Sequence, residues 1–275
     1  MINETNVEAH YANNRLLSVI KSGLENAGLD QENLTAMDLS PVDEFHIGGT
    51  QATDFVIKAL GISEQSKVID IGCGIGGPAR YVAEQVGCHV TGIDLTADYI
   101  AAGNTLCEWV GLGDRVHLEQ ASALELPYEA ARFDAAYVMH VGMNIADKTT
   151  MMAEAFRVLR PGGCLVIYDV MTHTDDTVTY PMPWSDVPEN SAIDSPTRYN
   201  AALTAAGFTI ENTQSYSDFA VAFFEGMMAR MSDGPGPLGL HLLMGANTPE
   251  KIGNVYRQTK EGVVGPVLIT CRKPG

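Results

Sequence analysis

From about residue 66 onward, short apolar segments alternate with longer amphipathic ones. The apolar, β-branched segments predict strands, and they are KVIDIG, CHVTGIDL, RVHLEQASA, FDAAYVMH, CLVIYDVM and, near the end of the chain, GPVLITCRK. Three segments that begin at Gly76, Thr96 and Asp147 predict helices; Thr96 is a predicted N-cap, and Pro161 with Gly162 is predicted to end the third helix. This alternation predicts a mostly parallel sheet with helices on both faces, in which ligands bind beyond the carboxyl ends of the strands.

The regions on either side of this core have a different character. Residues 1–65 predict a helix around Val7 to Leu29, a polar linker, and a loop, FHIGG, that runs into a helix. After Met171, a long stretch rich in Pro, Thr and Asp is typical of an active-site lid or substrate loop. Helices are predicted around residues 218–231 and 249–261. We therefore divide the chain into a helical lid segment (1–65), a cofactor-binding core (66–172) and a segment that completes the same domain (173–275).

Composition narrows the function classes. The 275 residues suffice for one large domain with an appended lid. A formal net charge of −17 repels phosphate backbones and anionic lipids, so neither nucleic acid nor a membrane is an expected partner. The five scattered cysteines form no C-x-x-C pair, which argues against a disulfide framework or a structural zinc site and favours reduced, buried thiols. The N-terminus has no secretory pattern, and we expect a cytoplasmic protein.

The glycine-rich turn after the first predicted strand, VIDIGCGIGG, has two interpretations. Gly72, Gly74 and Gly77 form the G-x-G-x-x-G fingerprint of dinucleotide-binding proteins. Alternatively, Gly76 completes D-x-G-x-G-x-G with Asp70 at its start. A carboxylate there is an unfavourable neighbour for a pyrophosphate and a favourable one for a ligand that carries an amino group and a sulfonium.

A second acid stands at the end of the second predicted strand. Asp94 lies at the distance expected for a residue that binds ribose hydroxyls, which supports an adenosine without choosing between cofactors. Asp94 capping the next helix, and Asp70 serving only the turn, remain the structural alternatives.

Four segments, in order, decide between these interpretations. VIDIGCGIGG, GIDL, LELPYEAARFDAAYV and RVLRPGG together resemble the class I S-adenosylmethionine-dependent small-molecule methyltransferases, over roughly residues 45–172. The resemblance implies a Rossmann-like, doubly wound sheet of seven strands, mostly parallel with an antiparallel last strand. It implies S-adenosylmethionine as the cofactor, S-adenosylhomocysteine as the product, and no metal.

The resemblance also implies roles for individual residues. The glycines Gly72, Gly74 and Gly76 would approach the methionine portion, Asp70 its amino group, and Asp94 with Leu95 the ribose and adenine. Where many relatives have G-D-A, this chain has Ala121, Ser122 and Ala123, so Ser122 would meet the adenine amino group with help from Ala123.

Upstream, EFHIGGTQAT resembles a segment of the phosphoethanolamine methyltransferases that closes over the methionine carboxylate. It implies cofactor-side roles for His46, Ile47 and Gly48, and a lid role for Tyr11. A packing role for Tyr11 and a capping or solvated role for His46 are the alternatives.

Methyl transfer requires the acceptor to be aligned, desolvated and free of its proton. The end of the fourth predicted strand, YVMHVGMNIADK, makes His140 the candidate base, with Asn144 four positions later. These residues stand where the phosphoethanolamine enzymes have Asp and His, so the catalytic arrangement of those enzymes is not carried over. A purely binding or packing role for His140 remains open.

The acceptor is less well defined by the sequence. Tyr180 and Trp184 could enclose a cationic amine, and Met228 with His241 could form an apolar wall, although methionines at helical spacing are typical of a core. We expect a small-molecule acceptor with an N, S or O nucleophile, preferably an amine. The alternatives are a quinone or tocopherol-type aromatic methyltransferase, a catalytically silent cofactor-binding protein and, remotely, an NAD-dependent dehydrogenase. Homodimer formation is left open.

Overall fold

The computed structural model describes residues 4–11, 15–230, 236–244 and 247–275, apart from the side chains of residues 6 and 9–11. Seven strands form one sheet: β1 (Lys67–Ile71), β2 (His89–Asp94), β3 (Val116–Gln120), β4 (Phe133–Met139), β5 (Leu159–Thr172), β6 (Thr209–Ser215) and β7 (Val264–Arg272). Their order is β3-β2-β1-β4-β5-β7-β6, and only β7 runs antiparallel to its neighbours. The predicted fold class is thereby confirmed.

Helices lie before, between and after the strands. Within the described residues they are α1 (Glu4–Tyr11), α2 (Leu16–Asn26), α3 (Ala36–Asp43), α4 (Thr50–Leu60), α5 (Gly77–Val86), α6 (Ala97–Trp109), α7 (Lys148–Val158), α8 (Pro196–Ala206), α9 (Ser217–Arg230), α10 (His241–Met244) and α11 (Thr248–Lys260). No helix in these described ranges is both long and apolar enough to span a bilayer.

The central strands are buried on both faces, as parallel strands covered by helices must be. Four of the five residues of β1 are buried, and the described side chains of the sheet pack into two large apolar clusters, one on each face. All five cysteines are free and buried, as predicted. Because the winding reverses between β1 and β4, their carboxyl ends border an open crevice, where ligands of this fold class bind.

Several local predictions need correction. Within the described residues, the helix predicted over Val7 to Leu29 corresponds to α1 and to α2, which ends earlier, at Asn26. The polar linker contains α3, which begins with a capping box between Thr35 and Asp38. Helix α7 ends at Val158, before Pro161, because the chain there already enters β5. Thr96 occupies the N-cap of α6 without a side-chain capping bond.

Candidate functional site

A cavity of about 260 Å³ lies at the crevice between β1 and β4. Its walls come from the loops after β1, β2, β3 and β4, from the segment before α4, and from the N-terminal helix α1. Eight residues predicted from the sequence as site residues line it: His46, Gly72, Gly74, Asp94, Leu95, Ala123, His140 and Asn144. The topology thus collects at one point residues that are up to about a hundred positions apart along the chain.

Two glycines of the turn after β1, Gly72 and Gly74, have different surroundings. Gly72 has a φ of +86°, and a Cβ there would overlap the side chain of Val141. Gly74 has a φ of +55°, but a Cβ there would meet no atom within 4 Å, because this glycine faces open space. Gly72 is therefore required by packing of the protein, whereas the space beside Gly74 is available to a ligand.

The Asp94 carboxylate joins the first two turns of the sheet. Its Oδ2 accepts a hydrogen bond from the backbone N–H of Gly74 at 2.9 Å, and its Oδ1 accepts one from the N–H of Thr96 at 2.9 Å. Burial raises the pKa of this carboxyl, and the two N–H donors oppose that rise. A carboxylate that lines the cavity in this position fits the two hydroxyls of a ribose.

Asp70 lies beneath the glycine turn at the end of β1 rather than on the cavity wall. It is 1% exposed, and its Oδ2 has no hydrogen-bond partner among the described residues. Burial raises its pKa to about 8; the neighbouring Tyr137 hydroxyl opposes that rise, and the charge of Asp94 adds to it. An unpartnered buried carboxyl oxygen is costly, and a cationic amino group in the cavity would offset that cost.

His46 is held in one orientation at the cavity wall. Its Nε2 lies 3.0 Å from the carbonyl oxygen of Gly49, 3.2 Å from Thr53 Oγ1 and 3.3 Å from Glu44 Oε2. The contact with Gly49 requires a proton on Nε2 of the neutral ring, which leaves Nδ1 as the basic nitrogen. Burial lowers the pKa of His46 to about 4 and raises that of Glu44 to about 8.

His140 follows β4 in a left-handed backbone conformation with a φ of +55°. Its ring centroid lies 6.0 Å from that of His46 and 5.4 Å from that of Tyr168. Both ring nitrogens are buried without a partner among the described residues, and burial holds the pKa of His140 well below its ordinary value. Two neutral histidines therefore lie next to each other at neutral pH, where an unprotonated ring nitrogen of each can accept a hydrogen bond.

A buried polar network fixes the loop that carries His140. Asp169 accepts hydrogen bonds from the N–H groups of Val141 at 2.8 Å and Gly142 at 2.9 Å, and from the hydroxyl of Tyr199 at 2.9 Å. The ammonium of Lys148 donates to the carbonyl oxygens of Gly142, Ile145 and Ala192 at 3.1, 3.0 and 2.7 Å. This loop is thus held rigidly next to the cavity, and Lys148 connects it to the long segment after β5.

The N-terminal helix contributes to the wall of the cavity. Glu4 and Val7 of α1 line the cavity, and the hydroxyl of Ser122 donates a hydrogen bond to Glu4 Oε1. Ser122 itself is not among the described residues that line the cavity, whereas its neighbours Ala121 and Ala123 are. The side chain of Tyr11, the predicted lid residue, lies outside the described part of the chain.

The remaining predicted residues lie away from the cavity wall. Ile47, Gly48 and Gly76 pack behind it. The four predicted acceptor residues do not line it either: Tyr180, Trp184, Met228 and His241. Trp184 is 5% exposed and donates to Ser191 Oγ at 2.8 Å, and Met228 is 43% exposed.

A second, smaller cavity of about 140 Å³ adjoins the first. It is lined by Phe45, Pro183, Asp186, Leu243, Met244, Asn247 and Lys251. Phe45 and Leu243 line both cavities, so they form the partition between them. Sequence reasoning missed both residues, as well as Glu4 and Tyr99; only the position of Phe45 next to His46 gave any signal.

Known proteins resemble this chain over its central domain and, in one case, over most of its length. Residues 68–163 match a family model described as a methyltransferase domain. The 27-O-demethylrifamycin SV methyltransferase of Amycolatopsis mediterranei is 29% identical over 240 residues, which are 82% of this chain and 84% of that protein. The matched domain and this relative support a class I S-adenosylmethionine-dependent methyltransferase. The predicted recognition and cofactor are thereby confirmed.

Several solved structures have the same fold as this chain. The geranyl diphosphate C-methyltransferase of Streptomyces coelicolor, solved with S-adenosyl-L-homocysteine, has a TM-score of 0.72 at 16% identity, over 98% of this chain and 97% of that chain. The [4+2]-cyclase SpnF has a TM-score of 0.69 at 23% identity, over 99% and 96% of the two chains. The matched part spans only about half or less of several other curated relatives, 53%, 52% and 30% of their lengths.

The residues of the cavity fit the cofactor of this family. The open space beside Gly74 allows a close backbone approach, and the carboxylate of Asp94 offers a ribose acceptor. The unpartnered Oδ2 of Asp70 lies beneath the same turn and adds negative charge there when the carboxyl is ionised. Groups of the cofactor thus find counterparts among the residues of this cavity.

Proposed function

We propose that this protein transfers a methyl group from S-adenosylmethionine to a nucleophilic atom of a small molecule, with a small amine as the acceptor. The observation that carries the proposal is the placement of a ribose-type carboxylate, Asp94, at one part of the cavity and of two neutral histidines, His46 and His140, at another. In this proposal Asp94 binds the cofactor, and the pair of histidines removes the proton of the acceptor.

The proposal assigns the cofactor to the larger cavity. Asp94 and Leu95 hold the ribose and adenine, and Ala123 lines the adenine end. The glycine turn at Gly72 and Gly74 admits the methionine portion, with Gly76 shaping the helix that follows. When bound, S-adenosylmethionine supplies a methyl group that its sulfonium has already activated.

Three further groups complete the proposed cofactor site. The amino group of the cofactor's methionine portion pairs with Asp70. The carboxylate of the same portion lies toward the segment of His46, Ile47 and Gly48. Tyr11 is proposed to cover the site from the N-terminal helix.

His140 is proposed as the base, because its two nitrogens have no partner among the described residues and its loop is held by Asp169 and Lys148. His46 can take the same proton through Nδ1, since Gly49 fixes its tautomer. Asn144, buried at the same wall, is proposed to orient the acceptor through its amide.

The acceptor is proposed to enter along Phe45 and Leu243, which join the two cavities. The charged residues of the smaller cavity, Asp186 and Lys251, would then face the polar end of the acceptor, with their carboxylate and ammonium 3.0 Å apart. The cavity walls carry an excess of carboxylates, which favours a cationic amine over an anionic acceptor.

The test is an acceptor panel in which formation of S-adenosylhomocysteine is measured. Small amines such as sarcosine and ethanolamine are compared with phenols and quinols of tocopherol type. We expect turnover with an amine. Turnover with the aromatic acceptors alone would contradict the amine assignment and support the aromatic alternative.

A catalytically silent cofactor-binding protein is the second candidate, because a [4+2]-cyclase shares the fold over nearly the whole chain. It requires binding of S-adenosylmethionine and S-adenosylhomocysteine without methyl transfer to any acceptor of the panel. That result would contradict the proposed activity while leaving the cofactor site intact.

A further inference from the structure

The hydroxyl of Ser122 is already engaged on both sides. It donates to Glu4 Oε1 and accepts a hydrogen bond from the backbone N–H of Leu124 at 3.0 Å. The Ser122 hydroxyl therefore positions Glu4 and stabilises the turn that contains Ser122. A different acceptor must serve any polar hydrogen presented to this end of the cavity.

Glu4 is positioned to be that acceptor. It lies in the first turn of α1, where it lines the cavity, and only one of its carboxylate oxygens receives the Ser122 hydrogen bond. Because Ser122 contacts Oε1, the second oxygen, Oε2, can face the cavity. The contact with Ser122 restricts the rotamers of a long, exposed side chain and so directs the second oxygen at little further entropic cost.

The adjacent wall of the cavity is apolar and suits a flat heterocycle. It is formed by small and aliphatic side chains: Ile93, Leu95, Ala121, Ala123 and Leu124. These side chains can cover the faces of a purine but offer no side-chain acceptor to its polar edge. The carboxylate of Glu4, which also lines the cavity, can accept a hydrogen bond from that edge.

We propose that Glu4 accepts a hydrogen bond from the 6-amino group of the cofactor's adenine, and that Ser122 only positions Glu4. This inference rests on the proposed function, because it takes the adenine to lie against this apolar wall. A carboxylate accepts a hydrogen bond from a 6-amino group and repels the lone pairs of a 6-oxo group. Glu4 therefore makes the site selective for adenosyl over inosyl ligands.

The test compares two ligands that differ at the 6-position of the purine and in the proton on the adjacent N1. The dissociation constants of S-adenosylhomocysteine and S-inosylhomocysteine are measured by calorimetry for the wild-type protein, Glu4→Gln, Ser122→Ala and Glu8→Gln. Glu8→Gln is the matched control, since it removes the same charge from the same helix at a residue that does not line the cavity.

We expect the wild-type protein to favour the adenosyl ligand about 10- to 100-fold, the range of one charge-assisted hydrogen bond. Glu4→Gln should reduce the preference to about threefold or less, because its amide can donate to the 6-oxo group. Ser122→Ala should reduce the preference partly, and Glu8→Gln should leave it unchanged.

Two outcomes would contradict this inference without contradicting the proposed function. In one, Glu4→Gln retains the wild-type preference; in the other, it weakens both ligands equally, which would make Glu4 a lid residue without base recognition. Failure of the wild-type protein to bind S-adenosylhomocysteine would instead contradict the proposed function, and this inference with it.

Discussion

Asp94 at the end of the second strand accepts a hydrogen bond from the backbone N–H of Gly74, 20 positions earlier in the chain, at 2.9 Å. This contact couples the glycine turn to the acid that is proposed to hold the ribose. One carboxylate thus both shapes the glycine turn and offers its remaining lone pairs to the ligand.

The first prediction concerns Asp94. We expect Asp94→Ala to weaken S-adenosylhomocysteine binding about 10- to 100-fold, because the variant loses the ribose acceptor and the bond that shapes the turn. Calorimetric titration measures the change, and Asp114→Ala, at an exposed position, is the control. Unchanged affinity of Asp94→Ala would remove the residue from the cofactor site.

The second prediction concerns His140. If it takes the acceptor's proton, His140→Ala lowers turnover by about 10- to 10,000-fold with little change in cofactor affinity. Steady-state rates on the best acceptor of the panel provide the measurement. His117→Ala, which alters a side chain that is 69% exposed, should behave as the wild-type protein. Wild-type turnover in His140→Ala would leave His46 as the candidate base.

The third prediction couples binding to protons. Asp70 is protonated near neutral pH, because burial raises its pKa to about 8. A cationic amino group bound beside it lowers that pKa, so binding should release a proton below about pH 8, and the release should vanish above that pH. Calorimetry in buffers of different ionisation enthalpy counts the protons. Asp70→Asn should abolish this release, and an equal release in the variant would refute the pairing.

The fourth prediction separates packing from backbone strain in the glycine turn. Gly72→Ala and Gly111→Ala both place a side chain at a positive φ, +86° and +70°, but only the first brings Cβ onto a neighbouring side chain. We expect Gly72→Ala to lower the free energy of unfolding by about 2–4 kcal/mol and Gly111→Ala by about 1 kcal/mol. Chemical denaturation measures both, and equal losses would contradict the role of the Val141 contact.

Most of the sheet was predictable because its central strands are buried on both faces and therefore read as continuous apolar runs. Strand β6 was not, since its residues, TIENTQS, are almost all exposed at the sheet edge and carry no apolar alternation. Its partner β7 is buried along nearly its whole length and was found. Helix α8 lies in the same stretch, which sequence reasoning left without an assignment.

Some residues of the candidate site could likewise be predicted from the sequence, and others could not. Residues that follow a strand, such as Asp94 and His140, were found because topology alone brings the carboxyl ends of parallel strands together. Glu4, Phe45 and Leu243 come from segments outside the sheet, and no local pattern indicates where such segments fold back. The hydrogen bond between Ser122 and Glu4 joins positions 118 residues apart, a relationship that one sequence does not reveal.

The central claim is that the cavity between β1 and β4 binds an adenosyl amino acid. The most direct test titrates the wild-type protein with S-adenosylhomocysteine, S-adenosylmethionine and NAD in a calorimeter. We expect saturable one-to-one binding of the two adenosyl ligands and none of NAD. Binding of NAD, or of none of the three, would contradict the assignment of the site.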